Sequence, residues 1–237
     1  MTARQATSVV CVAVFDYTTR QLIEQTLLVF AALFPIVNPI GGAPVFLAMT
    51  QGLDDAHRKL LARRVAANAF LLVMCSIFVG NYVIEFFGLS VPIIRVGGGL
   101  LVCALAWRLL HADTEDPARL RVGSSEEIAA RAFYPMTLPL TVGPGSIAVA
   151  ITLGAHSPRG ATAWAITVAA SALGAFLLSL SIFVLYRFAE RFARVLGVSG
   201  MQVVLRLSAF ILLCIGVQIV WSGVFALLAT VPTFRAR

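Results

Sequence analysis

This sequence predicts an all-α membrane protein: six transmembrane helices arranged as two inverted three-helix repeats, the first and fourth helices broken near the midplane. Three observations carry that reading. The chain is 59% hydrophobic and only 12% charged, with a mean hydropathy of +0.92, whereas a soluble domain carries roughly 25% charged residues. Six apolar stretches are each long enough, at about 20 residues, to cross the hydrocarbon as a helix. Dense proline–glycine clusters interrupt the first and fourth stretches at corresponding places. A water-soluble core of 237 residues would need far more polar cover, so lipid is the solvent that completes the fold.

Residues 1–20 form an N-terminal segment. Its apolar run, Val9 to Phe15, is too short to span and has no cleavage site after it, so it reads as a frayed or interfacial terminus and not a signal peptide. The first repeat, 21–111, holds spans at Leu27–Met49, Val65–Phe87 and Pro92–Leu110, the last two joined by the tight Gly88-Leu89-Ser90 turn. A cytoplasmic linker, 112–132, follows; it mixes acids with arginines from Asp113 to Glu127 and reads as a solvated or interfacial loop. The second repeat, 133–230, holds spans at Phe133–Gly154, Ala161–Phe188 and Leu207–Leu228, and residues 231–237 are a tail. Each span satisfies its own backbone hydrogen bonds in hydrocarbon, which a helix does.

The formal charge of +7 does not indicate nucleic acid, because no basic stripe lies on a soluble face. The cations sit between apolar blocks, where they set the direction of insertion. Arg58, Lys59, Arg63, Arg64, Arg108, Arg119, Arg121, Arg131, Arg187, Arg191, Arg194 and Arg206 fall on one side, twelve against six. The three long loops are then cytoplasmic and both termini periplasmic, in a bacterial inner membrane. Cys11, Cys75, Cys103 and Cys214 lie far apart with no CxxC or Cys/His spacing, so they imply neither disulfide framework nor metal site.

The halves look related. Gly88-Leu89-Ser90 precedes Arg95 as Gly197-Val198-Ser199 precedes Arg206. The break Pro35-Ile36-Val37-Asn38-Pro39-Ile40-Gly41-Gly42 matches Pro139-Leu140-Thr141-Val142-Gly143-Pro144-Gly145. With three spans per half, the two halves insert upside down relative to each other, a recurring plan in secondary transporters. Proline removes a backbone donor and glycine relaxes the chain, so each cluster frees polar backbone that only protein or a wet cavity can satisfy. Single kinks of this type are common packing features; two in matched positions point to a substrate site. The substrate-binding candidates are Asn38, Pro39, Gly41, Gly42, Thr141, Gly143, Pro144, Gly145 and Ser146. Half-helix N-termini there would present N–H groups and a positive dipole end, which suits the carboxylate of a small zwitterion.

The run Phe34 to Phe46 (FPIVNPIGGAPVF) closely resembles a signature of the MarC family of bacterial membrane proteins, and Pro139 to Ile147 (PLTVGPGSI) resembles its second signature. Arg95 to Leu101 and Val217-Gln218 fit as well, so that the resemblance runs from about Gln21 to Leu228. It implies six spans, an inner-membrane location and, for some members, transport of small neutral amino acids. The sequence departs at Gly42, where the family commonly has Asn, which removes one side-chain amide beside the presumed site.

Ionisable groups inside a membrane are costly and default to a functional hypothesis. Among the acids only Glu85 falls within a span, near its outer end; His57, His111 and His156 lie in loops or at span ends. Any coupling therefore runs through Na⁺ on backbone carbonyls, unless Glu85 carries H⁺. Arg95 and Arg206 read either as snorkelling side chains or as a charged gate or carboxylate clamp on each side. Gln218, on one face with Cys214 and Ser222, reads as a site residue or as interhelical glue, and Asn68 and Asn81 read the same way. Gly97, Gly98 and Gly99, and Ala170, Gly174, Ala175 and Ser179, are packing features that let helices approach. No HExxH, GxSxG or paired intramembrane acids occur, so no enzyme is predicted. The leading function is a carrier or exporter of small neutral amino acids or related small metabolites, with no cofactor and with lipid and small-molecule substrate as its partners. The alternative is a non-transporting membrane scaffold or sensor linked to stress or antibiotic tolerance.

Overall fold

Helices dominate because nearly every apolar residue here sits in a run too long for a buried strand, and hydrocarbon leaves no water to satisfy an open sheet edge. The computed structural model describes residues 3–50, 52–111, 132–155 and 160–230. Among these the chain forms α1 (Ala3–Val37), α2 (Pro39–Met49), α3 (Asp55–Phe78), α4 (Gly80–Phe86), α5 (Val91–Leu110), α6 (Ala132–Thr141), α7 (Pro144–Gly154), α8 (Ala161–Arg187) and α9 (Ala189–Leu228). Of the linker expected over 112–132 all but Ala132 lies outside the described residues, as do residues 156–159.

Five helical stretches are long and apolar enough to cross a membrane: Thr18–Val37, Asp55–Phe78, Val91–Leu110, Ala161–Arg187 and Ser199–Leu228. The pair α6–α7, bent by 72°, makes a sixth if it is counted as one span. The third and fifth spans fall where the sequence put them, and the bent pair α6–α7 covers the place expected for the fourth; the others shift. The first apolar stretch, expected as one span at Leu27–Met49, divides at Asn38 into a spanning helix and an 11-residue helix. The expected frayed terminus is instead the helical start of α1. Asp55–Phe78 begins ten residues before the expected Val65, because Arg58, Lys59, Arg63 and Arg64 occupy its first turns. Long basic side chains let a span's end carry charge, which an apolar window misses. The last span likewise starts at Ser199 and not at Leu207, directly after Gly197 at φ 66°, a value that favours glycine.

Inter-helix packing follows the small residues. A Cβ at Gly99 would lie 2.8 Å from the Val220 amide nitrogen, and one at Gly216 would lie 2.9 Å from that of Cys103, so α5 and α9 touch backbone to backbone. Gly174 does the same for α8 against α1, 3.0 Å from the Thr26 carbonyl. Gly97, by contrast, faces open space. One apolar core gathers Leu33, Phe46, Leu61, Val65, Met136, Leu178 and Tyr186; a smaller one joins Ile36, Val102, Ala106 and Leu212. Outward, Phe86 (84% exposed), Phe225, Trp164 and Trp221 present apolar surface that water would not tolerate on this scale.

At the end of the bundle where α3 starts, Asp54 caps that helix by accepting from the His57 amide at 3.1 Å. The His57 side chain also bonds Asp54 and, with that amide, holds the carboxyl below its usual range. Arg58, 9% exposed, pairs with Glu190 at 2.6 Å and donates to the Leu53 carbonyl at 3.2 Å. Arg187 forks onto Asp55 at 2.6 and 2.8 Å. Residues that the sequence offered only as orientation signals thus tie the start of α3 to the α8–α9 corner.

Candidate functional site

The first interruption is one residue wide. Asn38 sits in the left-handed region (φ 47°, ψ 58°), which Asn tolerates better than most L-residues. Its Oδ1 accepts from the Gly41 amide at 3.1 Å, capping α2. Pro39 and Pro44 have no N–H to give the carbonyls four residues earlier, so Pro35 and Ile40 lose their helical partners. The second interruption is wider. Tyr134 and Leu138 are extended, at φ −124° and −114°, and the threonines take up the freed carbonyls. Thr137 donates to Ala132 O at 2.6 Å and Thr141 to Met136 O at 2.7 Å. α7 then begins at Pro144 with Gly143 as its N-cap and no side-chain cap, so the amides of Gly145 and Ser146 have no carbonyl within the helix to bond.

The two interruptions meet at one cavity of about 260 Å³, a little under the roughly 300 Å³ at which pockets for drug-sized ligands begin. Asn38, Gly41, Gly42, Thr141, Gly143, Pro144, Gly145 and Ser146 line it, together with Leu101, Val102, Leu105 and Arg108 of α5 and Leu212 of α9. Among the described residues that line it there is no acid, and Arg108 is the one cation. The N-termini of α2 and α7 and the ends of α1 and α6 all reach it, so freed amides and carbonyls face it together with the guanidinium.

A family model described as MarC family integral membrane protein matches residues 23–228. The chain belongs to the MarC family. Among its relatives, the membrane protein YvbG of Bacillus subtilis is 30% identical over 199 residues, 82% of this chain and 92% of YvbG. The inner membrane protein MarC of Citrobacter koseri is 30% identical over 207 residues, 84% and 93% of the two chains. That of Escherichia coli is 28% identical over 206 residues, again 84% and 93%. No solved structure matches the chain.

Both segments that resemble the MarC signatures thus face one cavity. Five site candidates singled out from the sequence, Pro39, Gln218, Arg95, Arg206 and Glu85, stand elsewhere. Pro39 is buried beside the cavity without lining it. Gln218 lines a second cavity with Arg95. Arg206 is exposed on α9, and Glu85 is exposed on α4, accepting from Asn81 at 2.9 Å; neither borders a cavity. Asn68 reaches Thr137 at 3.5 Å, as interhelical glue would.

Two residues escaped the sequence reading. Arg108 was counted with the loop cations, although Leu101, Ala104, Leu105 and Arg108 share one helical face. Tyr186 gave no signal in sequence, since it is one aromatic among many in α8. In the structure it is fully buried, stacks on Phe46 with ring centroids 4.5 Å apart, and bonds Thr141 Oγ1 at 3.0 Å. A Cβ at Gly42 would lie 2.5 Å from its hydroxyl oxygen. Tyr186 therefore joins the two interruptions, filling the space that a side chain at position 42 would take.

Proposed function

We propose that this protein is an inner-membrane carrier for small neutral amino acids or closely related small metabolites, bound in the cavity between the two interruptions. The observation that carries the reading is the convergence of both Pro–Gly segments, one from each half of the chain, on one cavity with Arg108 at its edge and no acid among the described residues that line it. Its size suits a small solute, and its donors suit a carboxylate. Helix interruptions that come in pairs from two halves are how secondary transporters build such sites.

The inverted-repeat reading draws support from a second pair. Gly88 and Gly197, at matched places before the third and sixth spans, have φ of 65° and 66°. With the cations distributed as they are, the cavity opens towards the cytoplasm through Arg108, and both termini are periplasmic. The described residues that line the cavity include no carboxylate, and the reading takes Na⁺ on backbone carbonyls as any coupling ion.

The test is uptake of radiolabelled alanine, glycine and serine into liposomes holding the purified protein, with and without Na⁺ and pH gradients. Saturable uptake that falls at least tenfold in Arg108→Gln supports the reading. Absence of uptake under every gradient from folded protein rejects it. A pH-driven uptake lost in Glu85→Gln would instead make Glu85 the proton carrier.

A further inference from the structure

Arg95 belongs to a spanning helix, five residues into α5. A snorkelling arginine would leave the bundle for the interface, yet this one turns inward. Its Nε donates to Thr152 Oγ1 of α7 at 3.4 Å, and Thr152 passes its own proton to the Ala148 carbonyl at 3.0 Å. No carboxylate among the described residues pairs with Arg95. The guanidinium edges a second cavity of about 200 Å³, whose other lining residues are Val149, Thr152, Gln218, Ile219 and Ser222. Ser222 donates to the backbone carbonyl of Gln218 at 2.8 Å, and the Gln218 side chain lines the cavity beside it.

The two cavities lie at opposite ends of the same helices. Arg95 and Arg108 are thirteen residues apart on unbroken α5, about 20 Å at 1.5 Å per residue. Between them lies the smaller apolar core. Val102 and Leu212 of that core line the first cavity, while Val149 and Ile219, packed on it, line the second. No gap remains there: a Cβ at Gly145 would lie 2.0 Å from Val102 Cγ2, and one at Gly98 would lie 2.4 Å from the Ala148 Cβ.

We propose that the second cavity is a carboxylate-binding station on the far side of this apolar layer, with the Arg95 guanidinium as its anion-binding group and Gln218 beside it. Building on the carrier reading, it is where the same substrate rests after the layer opens. Each station then holds one arginine, and the layer of Val102, Val149 and Leu212 is the barrier between them.

The test needs no transport. In full-length protein with the four native cysteines replaced by alanine, Ser222→Cys is reacted with a sulfonate-bearing and a trimethylammonium-bearing methanethiosulfonate of similar size. A fixed cation close to the thiol favours the sulfonate reagent by about fivefold or more over their ratio on a free thiol. Arg95→Gln abolishes that preference and Arg95→Lys keeps it. Alanine and, separately, acetate slow the reaction. Protection by acetate but not alanine keeps the carboxylate station while rejecting the amino acid as its ligand, so it separates this proposal from the carrier reading. A thiol that reacts without charge preference, or that neither carboxylate protects, overturns it.

Discussion

Substituting Gly42 by alanine tests whether Tyr186 occupies the side-chain space of position 42. The new Cβ would stand 2.5 Å from the Tyr186 oxygen, where ordinary contact is about 3.5 Å, so one of them must retreat by about 1 Å. Tyr186 is held by its stacking on Phe46 and by Thr141, and overpacking of this type costs about 1–3 kcal/mol. Alanine's helix preference over glycine returns about 1 kcal/mol, for a net loss of about 0–2 kcal/mol. Tyr186→Phe alone loses one hydrogen bond, about 0.5–1.5 kcal/mol, and strands no carbonyl, since Thr141 still donates to Met136. In the double variant the nearest ring carbons stand at 3.4 Å, the clash is gone, and the helix gain offsets the lost bond. The expected sum is near wild type, with a coupling of about 2 kcal/mol in the sense of rescue. Thermal unfolding of purified protein in one detergent reads this at about 2–4 °C per kcal/mol. A double variant less stable than either single one would refute the geometry.

Other consequences can be checked alongside. Arg58→Ala should cost about 2–4 kcal/mol, because it removes a nearly buried charge bonded to both Glu190 and the Leu53 carbonyl; Arg187→Ala, whose partner Asp55 is 67% exposed, should cost under about 1 kcal/mol. Unfolding midpoints that rank the two the other way would contradict the burial argument. Gly154→Ala places a Cβ 1.8 Å from the Ile77 carbonyl oxygen, which is backbone and cannot rotate aside, so yield of folded, monodisperse protein should collapse; normal yield would show that α3 and α7 are not in contact there.

The spans at Val91–Leu110 and Ala161–Arg187 were legible because each is apolar enough over its length to span, with few charges to blur its ends. Span edges carrying charge were not: Arg58 and Arg64 look like loop residues until the helix that starts at Asp55 shows them as its first turns. The cavity was legible in outline, since proline and glycine announce where backbone is freed. Its third wall was not. Leu101, Leu105 and Arg108 satisfy the pattern of any lipid-facing helix, and only the closeness of α5 to α7, enforced at Gly98 and Gly145, turns that face towards the interruptions. Tyr186 is invisible for the same reason, its role arising from a neighbour 45 residues away, Thr141.

If the proposed carrier reading holds, the hydrogen bonds at Thr141 also set the orientation of the substrate. Its one hydroxyl proton is committed to the Met136 carbonyl at 2.7 Å, so in the 3.0 Å contact Tyr186 is the donor. Towards a ligand, Thr141 then has only a lone pair to offer. It can receive an ammonium proton but cannot bond a carboxylate, while the amides of Gly145 and Ser146 and the Arg108 guanidinium can do only the reverse. On the proposed carrier reading, a zwitterion is expected to place its carboxylate towards the start of α7 and its ammonium towards Thr141. Thr141→Val should remove a bond to a charged group, about 1.5–3 kcal/mol, weakening alanine binding about tenfold or more while sparing propionate, which has no ammonium. Thr141→Ser should restore alanine. Equal weakening of both ligands would mean that Thr141 acts only by holding Met136 and Tyr186 in place, and the orientation would have to be abandoned.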